Sequence, residues 1–505
     1  MTDSPRYNSI LQVIDDHLIP DETAKKERGE VFTPPDLVRE MLFGLRKDKL
    51  QAGISEIWGL DESGNFMDDD EDNRVGGLPT HIWRNPEIKW LDPANGIGNF
   101  PVIAFYKLDY ELSKVAGFHD KNKRRKHIIQ NMLFMIEIDK GNCVTCRQIF
   151  RKIYADAAPN VLCADTLSMT DEDLLKEFGL NRFDVIMGNP PFNTGGTKHH
   201  SDRGFYSKFI IYGISKLLQN GYLIYIHPPN YHRLNKNSVR EVFNENNLIF
   251  LNIISNTKDY FDVQISLDYY VLQKKANSKN TTIYDKNNAL NEHINIAEFN
   301  YIPNYGYGAI KKLIKFKNEY GSFKSQYGRD SNKHLSRTEY YSNKGKYKII
   351  HTIVQDGMRV YLSNAKHTYH DIRKVIINGL GETYIFYDSN GTYGVTQIPM
   401  FVLEPSKKEL IFLNSSLFQY LLWAYKIQGN NNDMFVFEVL PDFNSMKYTN
   451  EHELFEELNL SEDLFMDYQP PTFIKEDKIQ KYTKKQNKTR RLNNSNRKFT
   501  RKNNK

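Results

Sequence analysis

The pattern that most constrains the fold is an alternation of apolar runs with longer helical segments between residues 88 and 275. The apolar runs have the length of strands and are Ile88–Leu91, Leu133–Ile138, Val161–Ala164, Val185–Met187, Tyr222–Ile226 and Phe250–Ile254. The helical segments are Phe100–Lys114, Cys143–Tyr154, Tyr206–Leu218 and Val239–Glu245. This alternation predicts an α/β domain with a doubly wound, largely parallel sheet. A later run, Leu267–Leu272, is expected to close the sheet edge.

The ends of the first three predicted strands carry acids and glycines. The loop Leu91–Phe100 begins with Asp92 and contains two glycines, which let a backbone approach a ligand closely where open α/β sheets bind nucleotides. It lacks the Lys-Ser/Thr pair of a P-loop and the full dinucleotide fingerprint, so a tight turn is the alternative. Glu137 ends the second strand and Asp165 the third, where carboxylates can bond ribose hydroxyls and an adenine amino group.

The segment Asn189-Pro190-Pro191-Phe192 follows the fourth predicted strand. The two prolines end that strand, remove two backbone donors and leave carbonyls free to face a ligand. An amide side chain before them and an aromatic ring after them are parts that can hold an exocyclic amino group and stack on its ring. The alternative for this segment is an ordinary proline turn.

Together these motifs resemble the γ class of S-adenosylmethionine-dependent amino-methyltransferases, the DNA adenine-N6 methyltransferases of restriction–modification systems. The resemblance covers residues 29–275 and includes Gly29–Pro35, which is similar to the family's segment that closes over the methionine end of the cofactor. That segment, the glycine loop, the Asn-Pro-Pro-Phe motif and a final recognition domain follow one another in the γ order. The resemblance implies a Rossmann-like doubly wound methyltransferase sheet with a C-terminal α+β target-recognition domain.

The resemblance also implies a role for each motif residue. S-adenosylmethionine is the expected cofactor, and the residues expected to hold it are Thr33, Asp92, Ala94, Gly96, Gly98, Glu137 and Asp165. The catalytic set is expected to be Asn189, Pro190, Pro191 and Phe192, with the amide and the Pro190 carbonyl accepting hydrogen bonds from adenine N6. Phe192 is expected to stack on a base flipped out of duplex DNA, and Phe261 either stacks on its other face or is a core aromatic. No metal is expected.

Changes in residue composition and pattern along the chain indicate the domain boundaries. We expect a helical lead-in at 1–28, a methyltransferase domain at 29–315 with a linker within 276–320, a target-recognition domain at 316–470 and a basic tail at 471–505. Predicted elements of the recognition domain are the strands Tyr347–Thr352, Lys374–Ile377, Thr383–Tyr387 and Met400–Leu403 and the helix Phe412–Ala424. Its loops Gly391–Gly394 and Lys426–Gly429 are similar to loops of such domains.

The distribution of charge and the cysteine content indicate the kind of partner and the compartment to expect. Residues 475–505 carry 13 Lys/Arg and 2 acidic residues, a net charge of +11, so the remaining chain has 6 − 11 = −5. This tail is expected to be disordered, as a solvated terminus, an arm for nucleic acid or a nuclear signal. The 3 cysteines are too few and odd in number for a disulfide framework, and Cys143 and Cys146 are expected to be filler. We expect a cytoplasmic protein without a membrane segment that binds double-stranded DNA and has a possible cognate restriction endonuclease.

The sequence departs from the family's pattern in two places, and two competing functions remain. The gap of 45 residues from Asp92 to Glu137 is long and contains the basic segment Lys121–Lys126, as in large fused restriction–modification relatives. The polar loop Asn193–Arg203, with His199 and His200, is expected to be flexible rather than a metal site. The alternatives to DNA adenine methylation are methylation of RNA adenine or protein glutamine, and DNA binding by a vestigial fold.

Overall fold

A computed structural model describes residues 33–192, 205–234, 239–261, 265–329, 345–379, 383–426 and 434–474, and the backbone of 479–481. The lead-in 1–28, the start of the Gly29–Pro35 segment, the loop Asn193–Arg203 and nearly all of the basic tail lie outside the described residues. The chain forms two compact units, Met1–Tyr305 and Gly306–Lys505.

The first unit is built on a nine-stranded sheet. The strands of the first unit, nine of which form this sheet, are β1 (Leu45–Arg46), β2 (Arg74–Val75), β3 (Trp90–Asp92), β4 (Leu133–Glu137), β5 (Asn160–Cys163), β6 (Phe183–Gly188), β7 (Leu217–His227), β8 (Asn246–Ile253), β9 (Asp268–Ala276), β10 (Thr281–Tyr284) and β11 (Leu290–Ile294). The sheet order is β11-β10-β8-β9-β7-β6-β3-β4-β5, and β1 pairs with β2 in a separate two-stranded sheet. Strands β3 to β7 are parallel to their neighbours within this group, so the carboxyl ends of β3, β4, β5 and β6 meet at one edge. The predicted α/β class and doubly wound sheet are confirmed.

The helices of this unit bury their apolar faces against that sheet and one another. They are α1 (Pro35–Phe43), α2 (Lys47–Gln51), α3 (Thr80–Trp83), α4 (Asn99–Leu112), α5 (Lys121–His127), α6 (Lys140–Ile153), α7 (Asp171–Phe178), α8 (Tyr206–Lys216) and α9 (Val239–Glu245). In α6 the buried positions recur every three or four residues, as an amphipathic helix requires: Cys143, Cys146, Ile149, Phe150 and Ile153. The predicted helix Val239–Glu245 has the observed bounds. The basic segment Lys121–Lys126 lies in α5, where Arg124 and Arg125 both bond Asp109.

Two expectations for the end of this unit are wrong. The run Leu267–Leu272 does not close the sheet edge, because β9 lies between β7 and β8 and is antiparallel to both. Residues Tyr269 to Leu272 are fully buried, as a strand with neighbours on both sides requires. The segment 276–320 is not a linker, since it contains β10, β11 and the helix α10 (Tyr307–Tyr320). Polar residues on the edge strand β11 weaken its apolar pattern.

The second unit is an α+β arrangement. Its strands are β12 (Tyr327–Arg329), β13 (Tyr347–Val354), β14 (Gly357–Ser363), β15 (Lys374–Ile377), β16 (Tyr384–Asp388), β17 (Tyr393–Val395), β18 (Met400–Leu403), β19 (Thr472–Phe473) and β20 (Ile479–Lys481). They form one sheet of order β12-β18-β15-β16-β19 and another of order β17-β13-β14-β20. Its helices are α10, α11 (Lys407–Leu413), α12 (Ser416–Ala424), α13 (Phe435–Glu438) and α14 (Glu451–Glu457). All of α10 belongs to this unit, although the boundary expected at 315 would divide that helix.

The single helix predicted at Phe412–Ala424 is wrong. The chain forms two helices there, α11 and α12, separated by Asn414 and Ser415. Ser415 is the N-cap of α12, and its hydroxyl accepts a hydrogen bond from the Phe418 amide. A serine at this position supplies an acceptor for an amide that would otherwise be unpaired, so it favours a new helix start.

Cys143 and Cys163 are joined in a disulfide between α6 and the end of β5, and Cys146 is buried and free. The expectation that Cys143 is only filler is therefore wrong. The pair is 20 residues apart in sequence, and only the pairing of β4 with β5 brings it together. None of the described helices is long and apolar enough to cross a bilayer.

Candidate active site

A cavity of ≈ 270 Å³ lies at the carboxyl ends of β3, β4, β5 and β6. Nine residues expected from sequence line it: Thr33, Ala94, Gly96, Glu137, Asp165, Asn189, Pro190, Pro191 and Phe192. Asn95, inside the expected stretch from Ala94 to Gly98, also lines it. The residues that sequence reasoning missed are Pro93, Asn99, Phe100, Ile138, Asp139, Ala164, Thr166, Phe205 and Phe209. Three expected residues do not line it, namely Asp92, Gly98 and Phe261. The cavity thus unites the motifs that sequence placed at four separate strand ends.

Asp92 lies directly behind the cavity wall. Its Oδ1 accepts a hydrogen bond from the Ala94 amide at 3.1 Å, which fixes the first turn of the loop. Its Oδ2 is buried and has no hydrogen-bond partner among the described residues. Burial raises the pKa of Asp92 well above its usual range, and the nearby charge of Glu137 raises it further. A cation arriving at this end of the cavity would relieve that cost.

The Glu137 carboxylate ties two turns together at the cavity wall. Its Oε2 accepts a hydrogen bond from the Gly96 amide at 2.7 Å, and its Oε1 accepts one from the Asp139 amide at 2.7 Å. Asp139 in turn caps α6, because its side chain accepts from the amides of Gly141 and Asn142. The acid at the end of β4 is therefore held in one orientation by the local fold.

Two glycines of the loop serve different purposes. Gly96 lines the cavity and has φ +57°, a left-handed conformation that favours glycine. Gly98 has φ +105°, and a Cβ there would lie 3.0 Å from Cys146 Sγ. Gly98 thus allows the loop to pack on α6, and the structure places it behind the cavity.

Asp165 lies two residues after the end of β5 and caps the short turn Thr166–Ser168. Its Oδ1 accepts from the Leu167 amide at 3.1 Å and its Oδ2 accepts from the Ser168 hydroxyl at 2.7 Å. The Thr166 hydroxyl donates to the Pro93 carbonyl, which joins this turn to the loop after β3. These bonds fix both carboxylate oxygens at the rim of the cavity.

Unpaired acceptors and hydroxyls concentrate on the wall formed by Thr33 and the start of α4. Asn99 donates from Nδ2 to the Thr33 carbonyl at 2.8 Å and so holds the chain before α1 against α4. Thr33 Oγ1, Asn95 Oδ1 and Asn99 Oδ1 are buried and have no hydrogen-bond partner among the described residues. Buried polar atoms are ordinarily paired, so three such atoms on one wall indicate a polar ligand.

The segment Asn189–Phe192 follows β6 directly and lines the same cavity. Pro190 is buried, whereas Asn189, Pro191 and Phe192 are half-buried and line the cavity. Phe192 also packs against the core of the first unit. An amide, proline carbonyls and an aromatic face are therefore available in one place to a planar ligand carrying an amino group.

Phe261 is buried in the core of the first unit, which matches the alternative stated for it above. The additional aromatic residues of the cavity are Phe100, at the start of α4, and Phe205 and Phe209, at the start of α8. The ring centroids of Phe205 and Phe209 are 5.8 Å apart. No sequence signal separated them from ordinary core positions of an amphipathic helix. Asn95 and Asn99, by contrast, stand inside the glycine motif and were available to sequence reasoning.

Groups of three or more His, Cys, Asp or Glu side chains arranged to hold a metal ion are absent from the described part of the chain. His199 and His200 lie outside that part.

Comparison with known proteins finds matches to restriction-modification and adenine-specific methylases. Residues 112–261 match the Eco57I restriction-modification methylase family. A Mycoplasma pneumoniae protein described as an uncharacterized adenine-specific methylase is 24% identical over 347 residues, covering 53% of this chain and 79% of that protein.

Two solved structures also match part of the chain. The EcoKI M protein of a type I restriction enzyme is 16% identical with a TM-score of 0.31, and 41% of this chain and 46% of that chain are covered. The type IIL restriction-modification enzyme MmeI, solved with DNA, is 12% identical with a TM-score of 0.46, and 82% and 68% are covered. The chain spans about half the length of the EcoKI protein. By its motifs, its sheet and the match at residues 112–261, the chain resembles the adenine-specific methyltransferases of restriction–modification systems.

Proposed function

We propose that this chain is a site-specific DNA methyltransferase that transfers a methyl group from S-adenosylmethionine to the N6 amino group of adenine in duplex DNA. The observation that carries the proposal is the single cavity that Glu137, Asp165 and the Asn189–Phe192 segment all line. The resemblance to adenine-specific methylases gives the substrate class.

The residues present fit the proposed cofactor. Thr33 Oγ1, Asn95 Oδ1 and Asp92 Oδ2 are buried polar atoms without partners among the described residues, which suits an amino-acid ligand with a charged amine. Glu137 and Asp165 would hold the ribose hydroxyls and the adenine amino group. When bound, S-adenosylmethionine would supply an electrophilic methyl group on a positively charged sulfur.

The chain's own contribution to the chemistry is to prepare a poor nucleophile. The lone pair of an exocyclic amine is delocalised into the ring. We assign Asn189 and the Pro190 carbonyl as the two acceptors that draw the amino hydrogens out of the ring plane and localise the lone pair. Positioning and preorganised acceptors of this kind supply most of the rate enhancement when no covalent intermediate is needed.

The target base must leave the helix to reach these groups. Flipping a base out of duplex DNA costs about a few kcal/mol, which stacking in an aromatic pocket offsets. Phe192 is the residue we assign to that stacking. The second unit, Gly306–Lys505, would then read the target sequence, and a cognate restriction endonuclease is a proposed partner.

In the test, the purified 505-residue chain is incubated with methyl-labelled S-adenosylmethionine and one acceptor at a time: duplex DNA, RNA or protein. Transfer to duplex DNA, reduced about 100-fold or more in Asn189→Ala, is the expected result. Transfer to RNA or protein alone would contradict the proposal, and DNA binding without transfer to any acceptor would indicate a vestigial fold. Glu172→Gln, an exposed acid on α7 outside the cavity, is the control variant.

A further inference from the structure

A second buried carboxylate, Glu40, lies on α1 outside the cavity described above. Its Oε1 accepts hydrogen bonds from Asn252 Nδ2 at 2.9 Å and Tyr269 Oη at 2.7 Å. Its Oε2 accepts from Tyr260 Oη at 3.0 Å. Only 5% of the residue is exposed, so three donors from three different segments hold a carboxylate inside the protein.

The carboxylate stands where packing alone would favour an apolar side chain. The other buried residues of α1 are all apolar, namely Leu37, Val38, Met41, Leu42 and Phe43. Burial raises the pKa of Glu40, and the three hydrogen bonds oppose that rise. A buried carboxylate is costly unless its oxygens are paired, and an apolar residue of similar size commonly serves stability as well. The carboxylate instead fixes the orientation of three partner side chains, because it accepts a hydrogen bond from each of them.

Those partners join α1, which follows a residue of the cavity wall, to a part of the sheet that does not line the cavity. Toward the cofactor side, α1 begins two residues after Thr33, whose carbonyl is held by Asn99. Toward the other side, Asn252 and Tyr269 belong to the antiparallel strands β8 and β9, and Tyr260 belongs to the connection between them. Thr33 lines the cavity, whereas Glu40 and Tyr260 do not.

We infer that Glu40 is a positioning residue that sets the cofactor-side segment Thr33–Phe43 against the β8–β9 connection through its bond to Tyr260. The inference rests on the proposed function, because it takes the Thr33 wall to be part of the S-adenosylmethionine site. Removing the Tyr260 hydroxyl therefore weakens cofactor binding although Tyr260 does not touch the cavity.

The test compares Glu40→Gln and Tyr260→Phe with the wild-type chain in S-adenosylmethionine affinity, measured by titration calorimetry, and in thermal stability. Each variant is expected to raise the Kd about 5-fold, the effect of one lost hydrogen bond of ordinary strength. The double variant is expected to raise it less than the product of the single effects, because both changes alter the contact between residues 40 and 260.

Asp285→Asn is the matched control. Asp285 is also a buried carboxylate of raised pKa, and its hydrogen bonds all lie within its own turn, to the amides of Asn287 and Ala289 and to Asn291 Nδ2. It should lower thermal stability and leave the Kd unchanged. If Glu40→Gln and Tyr260→Phe behave like this control, Glu40 is structural only and the inference is overturned.

The two proposals fail in different ways. A wild-type chain that binds S-adenosylmethionine but methylates no DNA would contradict the proposed function, and the Kd comparison would still decide the role of Glu40. A wild-type chain that does not bind S-adenosylmethionine would overturn both.

Discussion

Gly188 and Asp92 approach so closely that a side chain on Gly188 would collide with the Asp92 carboxylate. A Cβ built on Gly188 lies 2.8 Å from Asp92 Oδ1, and Gly188 has φ +152°, within the range that favours glycine. Gly188 is the last residue of β6 and Asp92 the last of β3. The glycine therefore brings the Asn-Pro-Pro-Phe segment against the acid of the glycine loop.

Gly188→Ala should disrupt this approach. We expect a loss of about 1–3 kcal/mol in the free energy of unfolding from overpacking, together with a large loss of S-adenosylmethionine affinity, measured by chemical denaturation and calorimetry. Gly117→Ala is the control, because Gly117 has φ +83° but no atom within 4 Å of the added Cβ. Equal effects of the two substitutions on affinity would show that the Asp92 contact is irrelevant.

Asp92 should make cofactor binding depend on pH. Its raised pKa means that the free protein keeps a proton on a group that a cationic ligand prefers ionised. Binding should therefore release a proton, and affinity should rise with pH until Asp92 is ionised in the free protein. The free protein itself should lose stability as the pH rises through that raised pKa, because ionisation then costs more in the folded state than in the unfolded one.

Calorimetry of S-adenosylmethionine binding in buffers of different ionisation enthalpy measures this proton release. Asp92→Asn should bind more weakly and release no such proton. An affinity of the wild-type chain that falls, or shows no rise at any pH above the ordinary aspartate pKa of about 4, would refute the assignment.

Replacing Glu137 should weaken ligand binding at the loop more than it lowers the free energy of unfolding. Its two oxygens hold the amides of Gly96 and Asp139, so Glu137→Ala leaves both amides without their acceptor. We expect S-adenosylmethionine and its demethylated product to lose affinity by about 10-fold or more, the cost of an unmade bond to a charged group. Glu137→Ala binding as tightly as Glu172→Gln would remove Glu137 from the site.

Substitution of Phe192 should change the kinetics of methyl transfer, whereas substitution of Phe261 should not. Phe192→Ala should impair methyl transfer to DNA, because it removes the aromatic face in the cavity. Phe261→Leu should lower the free energy of unfolding by about 1 kcal/mol, as a change of shape in a packed core does, and leave kcat and KM for DNA near the wild-type values. A change in KM for DNA in Phe261→Leu without loss of stability would support the stacking role first considered for it.

Sequence predicted the strands that carry the site better than the strands that complete the sheet. The runs that end at Asp92 and Glu137 are entirely buried, whereas in the run before Asp165 only Val161 is buried. Asp139 and Asp165 then cap the helix or turn that follows. Local patterns of that kind are readable one segment at a time. The position of β9 between β7 and β8 depends on pairing between distant segments, which no single run encodes.

The same reason separates the site residues that sequence identified from those it missed. Asn189–Phe192 and the glycine loop are contiguous motifs. Phe205 and Phe209 enter the cavity only because α8 returns along the sheet, and Cys143 meets Cys163 only because β4 pairs with β5. The partners of Glu40 are more than 200 residues away in sequence, so its role has no local signature.

The most direct test of the central claim is identification of the methylated nucleoside. Duplex DNA incubated with the full chain and S-adenosylmethionine, then digested to nucleosides and analysed by mass spectrometry, should contain N6-methyladenine. The product should be absent without S-adenosylmethionine and reduced about 100-fold or more with Asn189→Ala. Methylated cytosine in place of methylated adenine, or full activity of Asn189→Ala, would contradict the account.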